Sequence, residues 1–338
     1  MFKKAANIVK YTLSTILAGV LVWFAFRGVD WKAFWEGLQQ TRWGWVALYF
    51  AAAVLALVFR TERWYALIKP LDPQVRRLPV WDALNVGNLV SVVLPGAGEL
   101  VRCGYVSSRR MSFDRSLGTI VCERVFDVLA VAVILVAALA LKWDTFAPFF
   151  AQNIWGPFYA RLGGSAVWIL VGIALLIVGF FAAVYFLRNR VRFFRRIADT
   201  LKGLGTGFAS VAKMESKWAF LLSTVGIWAM YIAMMWCTIR ALPQLDVLGT
   251  IDAVFLSAVG NIASVIPVPG GIGAYHYLMA LSASSIYGQT WETGILFATL
   301  QHEIHAVIIL ILGVISYARL SLHARRQRKA AEAAGQQA

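Results

Sequence analysis

Two distant stretches of this chain repeat one pattern, an apolar segment interrupted by proline and glycine. Residues 82–102 read DALNVGNLVSVVLPGAGELVR, and residues 252–276 read DAVFLSAVGNIASVIPVPGGIGAYH. GNLVSVV at 87–93 matches GNIASVI at 260–266, and each stretch is followed by an apolar segment that carries ionisable groups. Broken apolar helices at matching positions of two halves are typical of the binding sites of membrane transporters.

The composition indicates a membrane protein. Of the 338 residues 60% are hydrophobic and 14% are charged, whereas soluble domains carry about 25% charged residues. The net charge of +15 comes from short basic clusters at the ends of apolar runs, which is the pattern of cytoplasmic loops. We therefore predict an all-α polytopic membrane protein and no nucleic-acid partner. Cys103, Cys122 and Cys237 are interpreted as small apolar residues, because they are widely spaced and lie mostly within apolar runs.

The apolar runs predict six full spans, at residues 11–26, 43–68, 116–141, 167–187, 218–239 and 292–317. The first run also resembles a signal peptide, but no small-residue cleavage site follows Phe26, and this favours a retained span. The second span ends with Arg60, Glu62, Arg63 and Trp64. We interpret these four side chains as snorkelling towards the lipid headgroups.

The two interrupted segments, residues 79–108 and 251–287, are predicted to be re-entrant helical hairpins. Sixteen helical residues reach about 24 Å, which is less than the hydrocarbon core of roughly 30 Å. A single crossing would also place the basic clusters at 69–77 and 109–115 on opposite sides of the membrane. A hairpin that returns to its own side keeps them together. Two short full spans would give the same sidedness and remain an alternative.

This count predicts an inverted repeat of two three-span halves, residues 1–160 and 161–320, within a single transmembrane domain. Three spans are an odd number, so the halves insert with opposite orientation. The stretch 241–316 contains no lysine or arginine, which places the second hairpin on the outer side and the first on the cytoplasmic side. Chance similarity between glycine-rich membrane segments is the alternative to a repeat.

The basic segments predict the membrane orientation. Both termini are expected in the cytoplasm, with residues 321–338 as a basic, disordered tail. The segment Arg188–Lys202 has an apolar face and a basic face. It is predicted to lie as an amphipathic helix on an anionic inner leaflet.

Four segments resemble the lysylphosphatidylglycerol synthase transmembrane-region family, which includes the flippase domain of bacterial multiple-peptide-resistance factors. They are RTERWYALI (60–68), NLVSVVLPGAGELVR (88–102), ERVFD (123–127) and PVPGGIGAYH (267–276). The resemblance covers residues 5–320. The sequence departs from the family pattern at Ala97, where an arginine is usual, and at Tyr275–His276, where an acid is usual.

The resemblance implies translocation of a polar lipid between the leaflets of a bacterial plasma (inner) membrane. The substrate would be a phospholipid, a glycolipid or a polyprenyl-phosphate carrier. Synthase members carry a soluble aminoacyl-transferase domain after the membrane part. No such domain lies within these 338 residues, so we expect that the chain does not make lysyl-lipid by itself.

The candidate translocation path consists of polar residues and glycines in or beside the two hairpins and the spans after them. They are Asn88, Glu99, Arg102, Glu123, Arg124, Asp127, Asn261, Gly270, Gly271, Gly273, His276, His302, Glu303 and His305. A charge at the bilayer centre costs about 2.5–3.5 kcal/mol, so such residues usually have a function. They would form a polar groove for a lipid headgroup, with Arg102 as the counter-charge of a phosphate. Glu123 and Asp127, four residues apart, lie on one face of a helix. The alternative is an internal salt bridge with Arg102 or Glu99 that locks the hairpin, which does not exclude the first interpretation.

The histidines do not match a known metal motif. A zincin helix needs H-E-x-x-H, whereas residues 302–305 read H-E-I-H. We therefore predict no metal and no cofactor, and interpret the group as a proton-responsive cluster or as a hydrogen-bonded pair. No G-x-x-x-x-G-K-[ST] motif is present, so transport would be passive or coupled to protons.

Two further function classes remain open. The chain could be an intramembrane enzyme that acts on a lipid headgroup, although the sequence offers no compelling nucleophile–base pair. It could also be a non-transporting assembly partner of envelope enzymes.

Overall fold

The computed structural model describes residues 16–94, 96–108, 111–151, 156, 165–187, 190–191, 194–195, 216–263, 268 and 271–335. These residues form helices joined by short turns, and no strand occurs among them. The helices are α1 (Ile16–Phe26), α2 (Trp31–Gln39), α3 (Trp43–Ile68), α4 (Arg77–Val93), α5 (Ala97–Val106), α6 (Phe113–Leu141), α7 (Trp143–Phe150), α8 (Ser165–Leu187), α9 (Lys217–Ala241), α10 (Thr250–Ala263), α11 (Ala274–Tyr287) and α12 (Trp291–Gly335).

Four helices are long and apolar enough to cross a membrane: α3, α6, α9 and the segment Trp291–Arg326 of α12. They coincide with four of the six predicted spans, and α3 has the predicted bounds. The other two predicted spans contain the shorter apolar helices Ile16–Phe26 and Val178–Leu187. The prediction of an all-helical, multi-pass membrane protein is therefore confirmed for the described residues.

Two short helices, α2 and α7, lie in segments between the predicted spans, where no helix was predicted. In α2 the N-cap residue Asp30 accepts hydrogen bonds from the backbone N–H groups of Lys32 and Ala33, at 2.9 and 3.2 Å. An aspartate directly before a helix is a recognised N-cap signal. It was not used in the prediction, because the tryptophans of this segment indicated a membrane-interface loop instead. Trp31 and Trp35 are more than half exposed, as expected for aromatic residues at a membrane interface.

The C-terminal segment differs from its prediction. Helix α12 continues without a break to Gly335, where a disordered tail was predicted from residue 321. The segment SLHARRQRKAAEAA is rich in alanine and arginine and also contains lysine, glutamine and glutamate. All of these residues are strong helix formers, and they extend the preceding span. The predicted basic helix over Arg188–Lys202 lies largely outside the described residues.

The chain divides into two compact units. The larger unit comprises Met1–Ala138 and Trp218–Ala338, and the smaller comprises Leu139–Lys217 and contains α7 and α8. In the larger unit, buried apolar side chains of α3, α4, α5, α9 and α12 form one continuous core cluster. Both hairpins and all described candidate site residues lie in this unit.

The first hairpin consists of α4 and α5, which pack closely at two glycines. An added Cβ on Gly98 would lie 2.0 Å from the carbonyl oxygen of Gly87 and 2.2 Å from Oγ of Ser91. Gly96 has a φ of 78°, a left-handed conformation that glycine adopts without strain. The predicted helix break is confirmed and lies between Val93 and Ala97.

Gly98→Ala is expected to lower the free energy of unfolding by about 1–3 kcal/mol, because the new methyl group would force the two helices of the hairpin apart. The matched control is Gly104→Ala on the same helix, where an added Cβ meets nothing within 4 Å. This change should be neutral or stabilising by up to about 1 kcal/mol. Chemical unfolding of both variants in detergent measures the difference. Equal stabilities would show that the hairpin is not tightly packed.

The second hairpin consists of α10 and α11 and uses a glycine at the matching position. An added Cβ on Gly260 would lie 2.9 Å from the ring of Tyr275. Gly271 and Gly273 have φ values of 75° and 83° and turn the chain into α11. At Gly273 an added Cβ would lie 2.6 Å from the backbone nitrogen of Val22, so helix α1 passes directly beside this turn.

Helix α12 packs against both hairpins through glycines. An added Cβ on Gly313 would lie 2.6 Å from Cβ of Leu89 on α4, and one on Gly294 would lie 2.7 Å from Cα of Ala280 on α11. Arg319 on α12 also forms an ion pair with the buried Asp82 on α4. The candidate site residues of the two halves are thereby held around one long helix.

Outside the apolar helices, an ion pair connects the start of α3 to the turn after α9. Two nitrogens of Arg42 donate to the two carboxylate oxygens of Asp246, at 2.9 and 2.6 Å. These hydrogen bonds lower the pKa of the Asp246 carboxyl below its usual value.

Candidate functional site

The first part of the site is an ion cluster built from α3, α5 and α6. Arg63 on α3 donates from Nη1 and Nη2 to the two oxygens of Asp127, at 2.6 and 3.2 Å. Its Nε donates to Oε1 of Glu123 at 3.3 Å, and Nη2 of Arg102 donates to Oε2 of Glu123 at 2.8 Å. Glu123 thus bridges two arginines, and all three side chains are at most 4% exposed.

A second layer of ion pairs surrounds this buried set. Nη2 of Arg124 lies 3.2 Å from Oε1 of Glu99, and its Nη1 lies 3.6 Å from Oδ2 of Asp127. Together with the Arg102–Glu123 pair, this contact connects hairpin helix α5 to α6. The internal ion pairs of Arg102 and Glu99 that the sequence analysis considered are therefore present in the structure.

The snorkelling interpretation was wrong for Arg63 and Trp64, which are 2% and 0% exposed. The guanidinium of Arg102 lies over the Trp64 ring, 4.6 Å from its centroid, and Trp64 Nε1 donates to Oγ1 of Thr119 at 2.9 Å. Arg63 follows the buried Ala56 by seven residues, so both lie on the core-facing side of α3. This periodicity was a signal in the sequence, but the partners on α6 are remote in the chain.

The cluster carries more positive than negative charge. Arg60 is close enough to Glu123 and Asp127 to interact with them electrostatically, but it takes part in none of the ion pairs described above. Nη1 of the buried Arg102 has no hydrogen-bond partner among the described residues. With Arg60 included, four guanidinium groups face three carboxylates. This arrangement suits an additional anion, because guanidinium groups bind phosphate and carboxylate oxygens in pairs.

A cavity of about 240 Å³ lies between α3, α9, α10, α11 and α12. Its polar lining includes Tyr49, Tyr231, Asn261, Tyr275, His302 and His305. Within the described part of the chain this lining contains no carboxylate, lysine or arginine. His305 and Arg60 are close enough to interact electrostatically, so the neutral cavity and the charged cluster are neighbours.

Two side chains in the cavity are positioned by backbone hydrogen bonds. Tyr49 Oη donates to the carbonyl of Gln301 at 2.6 Å, and Asn261 Nδ2 donates to the carbonyl of Ser257 at 2.8 Å. Nδ1 of His305 is buried and has no hydrogen-bond partner among the described residues. The cavity therefore offers hydrogen-bonding groups of no net charge to a bound molecule.

A third group of side chains lies beside the second hairpin. His302 Nδ1 is 2.9 Å from Oε1 of Glu303, and His276 Nε2 is 3.8 Å from the same oxygen. The rings of His276 and His302 have centroids 5.3 Å apart. One nitrogen of each histidine and one glutamate oxygen lie within 4.8 Å of one another, a spacing that allows shared coordination of one ion.

A sequence profile of the lysylphosphatidylglycerol synthase TM region matches residues 8–313. The chain belongs to this family. The resemblance inferred from the four motifs is thus confirmed, and the family indicates a membrane function related to lipids. No curated protein and no solved structure matches the chain in comparisons of this kind.

In this member of the family, the structure sorts the predicted site residues into three groups. The ion cluster contains Glu99, Arg102, Glu123, Arg124 and Asp127. The cavity contains Asn261, His302 and His305, and the histidine group contains His276, His302 and Glu303.

The remaining predicted residues are turn glycines and one asparagine. Gly271 and Gly273 form the turn before α11, whereas Gly270 lies outside the described residues. Asn88 belongs to none of the three groups, and its buried Nδ2 has no hydrogen-bond partner among the described residues.

The site also contains residues that were not predicted. They include Arg60 and Arg63 of the ion cluster and Tyr49, Tyr231 and Tyr275 of the cavity. The arginines were visible as charges near the end of a span. The tyrosines carried no signal, because aromatic residues are common throughout such helices.

Proposed function

We propose that this protein is a lipid translocase that moves a polar or anionic lipid headgroup between the leaflets of a membrane. The observation that carries this proposal is the ion cluster, which is buried among apolar helices, has an excess arginine charge and adjoins a neutral polar cavity. Charges at membrane depth are costly to insert, so a cluster of them usually marks a functional site.

The charges of the cluster favour a phosphate-containing headgroup. Arg60 and the unpartnered Nη1 of Arg102 supply positive charge and a donor. The carboxylates Glu123 and Asp127 already accept from Arg63 and Arg102. A phosphate would therefore bind to the excess guanidinium without displacing the ion pairs.

The cavity offers the headgroup a second polar environment. Its tyrosine, asparagine and histidine side chains hydrogen-bond to polar groups and carry no fixed charge, so a headgroup would be bound there more weakly than by the arginines. The proposed translocation path is movement of the lipid headgroup between the ion cluster and the cavity. The acyl chains would remain in lipid along exposed apolar faces such as that of α6, where Val128, Val133 and Val136 are about two-thirds exposed.

The finer topology is part of the same proposal. Both hairpins would be re-entrant and the two halves would form an inverted repeat, in a bacterial plasma membrane with cytoplasmic termini. The lysine- and arginine-free stretch 241–316 supports this sidedness. Gly87 and Gly260 occupy matching sequence positions and each allows a close contact within its own hairpin, which supports the repeat.

Leaflet exchange in proteoliposomes tests the function. Headgroup-labelled phosphatidylglycerol, its aminoacyl ester, phosphatidylethanolamine and a lipid-linked sugar phosphate are each placed in one leaflet, and their appearance in the other is followed. We expect the wild-type protein to accelerate exchange of at least one phosphate-containing lipid over protein-free liposomes. Arg77→Gln, which changes an exposed pair with Glu62, should behave as the wild type.

Two outcomes would favour other functions. Chemical conversion of a lipid, detected by mass spectrometry, would indicate an intramembrane enzyme. If a folded sample neither exchanges nor converts any of these lipids, the translocase proposal is wrong and an assembly role is favoured.

A further inference from the structure

The group formed by His276, His302 and Glu303 has the composition of a metal site. It places two imidazole nitrogens and one carboxylate oxygen within 4.8 Å of one another. The ligands come from α11 and α12, so two separate elements of the fold converge on one point. In tetrahedral zinc sites with the metal about 2.0–2.2 Å from its nitrogen and oxygen ligands, the ligand atoms lie about 3.3–3.6 Å apart, so these three atoms would adjust by about 1 Å to bind one ion.

His276 supplies the second, independent observation. Its side chain is 2% exposed, and its Nε2 is 3.8 Å from the nearest acid oxygen, Oε1 of Glu303. That distance is too long for a hydrogen bond. Its Nδ1 has no hydrogen-bond partner among the described residues. A buried imidazole nitrogen without a partner is costly, and the second nitrogen of this ring, Nε2, lies close to the glutamate and histidine of the same group.

We propose that Nε2 of His276, Nδ1 of His302 and Oε1 of Glu303 bind one divalent transition-metal ion, with Zn²⁺ as the best match. Zinc binds imidazole and carboxylate ligands, and a set of two histidines and one glutamate occurs in zinc sites that keep a fourth position open. Mg²⁺ and Ca²⁺ are disfavoured because both prefer an all-oxygen environment. The ion would replace the direct contact between Nδ1 of His302 and Oε1 of Glu303, which are now 2.9 Å apart.

The structure explains why the sequence did not indicate this site. The pattern H-E-I-H directs attention to His302 and His305, which do not have zincin spacing. In the fold, His305 instead faces the cavity, and the second histidine ligand comes from the hairpin at His276. The bound ion would connect the hairpin to α12. It would leave a coordination position for water or another oxygen ligand beside His302, which also lines the cavity.

Metal binding by the full-length protein tests the proposal directly. Detergent-purified protein is stripped with a chelator and titrated with Co²⁺, whose visible absorption reports coordination by nitrogen ligands, and Zn²⁺ is then added in competition. We expect saturable binding of one equivalent. His276→Gln, His302→Gln and Glu303→Gln should each weaken it by at least about 100-fold, more than the loss of an outer-shell contact.

His323→Gln is the matched control, because this histidine lies on the same helix but is exposed and belongs to neither the metal group nor the cavity. Its metal affinity should equal that of the wild type. The absence of saturable Co²⁺ or Zn²⁺ binding by folded wild-type protein would overturn the proposal. Binding that survives all three ligand substitutions would overturn it as well.

Two design features keep this test decisive. Glu303→Gln preserves the shape of the side chain, so it can be interpreted even if a histidine variant does not fold. Metal binding is measured without lipid transport, so its failure is distinguishable from failure of the translocase proposal.

Discussion

Replacing Arg63 with methionine is expected to lower the free energy of unfolding by about 3–5 kcal/mol. Arg63 is 2% exposed and makes three hydrogen bonds to Glu123 and Asp127. Without it, Asp127 would lose its bidentate partner and Glu123 would retain Arg102 alone. Asp127 would keep only the half-exposed Arg124, 3.6 Å away, and this poorly compensated carboxylate accounts for most of the expected loss.

Unfolding of purified protein in detergent, followed by circular dichroism, measures this effect. Arg77→Met is the matched control, since Arg77 also pairs with a glutamate but its side chain is 65% exposed. Exposed pairs contribute about 0–1 kcal/mol. Combining Arg63→Met with Asp127→Asn should recover part of the loss, because the second change removes the carboxylate that Arg124 alone compensates poorly. An Arg63 variant as stable as the Arg77 variant would contradict the buried cluster.

Replacing Arg60 with glutamine is expected to slow lipid exchange by about 10- to 100-fold, which corresponds to the loss of one hydrogen bond between charged groups, about 1.5–3 kcal/mol. Arg60 supplies the excess positive charge of the cluster but none of its described ion pairs. Its removal should therefore weaken phosphate binding more than it lowers the stability of the fold. The unfolding midpoint should remain much closer to that of the wild type than the midpoint of Arg63→Met.

The liposome assay with the most rapidly exchanged lipid measures this prediction. Arg60→Lys is the informative comparison, because it retains the charge but loses the planar geometry that pairs with phosphate oxygens. Exchange by the lysine variant should lie between the wild type and Arg60→Gln. Wild-type exchange by Arg60→Gln would show that the excess charge does not bind the headgroup.

The first hairpin has one feature that the local sequence predicts and one that it does not. Pro95 and Gly96 interrupt an apolar run, and such residues end helices because of their own backbone geometry. The break was therefore predictable to within a few residues. The close contact between Gly87 and Gly98 was not, since it depends on how two helices approach each other.

The ion cluster shows where sequence reasoning became incomplete. The spacing of Glu123 and Asp127 placed both on one face of a helix, and their need for counter-charges followed from the cost of burying them. Arg102 was recognised as a partner because it lies in the adjacent hairpin. Arg63 was not, because its burial and its partners depend on the packing of α3 against α6.

The sequence by itself determined that this protein is a helical, multi-pass membrane protein of a lipid-related family, with two interrupted segments at matching positions. These properties follow from hydropathy, charge and backbone preferences, each of which acts within a few residues. The tertiary structure alone decided which charges pair, which residues surround the cavity, and that His276 meets His302 and Glu303. Those contacts join residues remote in the chain, and only the packing of whole helices brings them together.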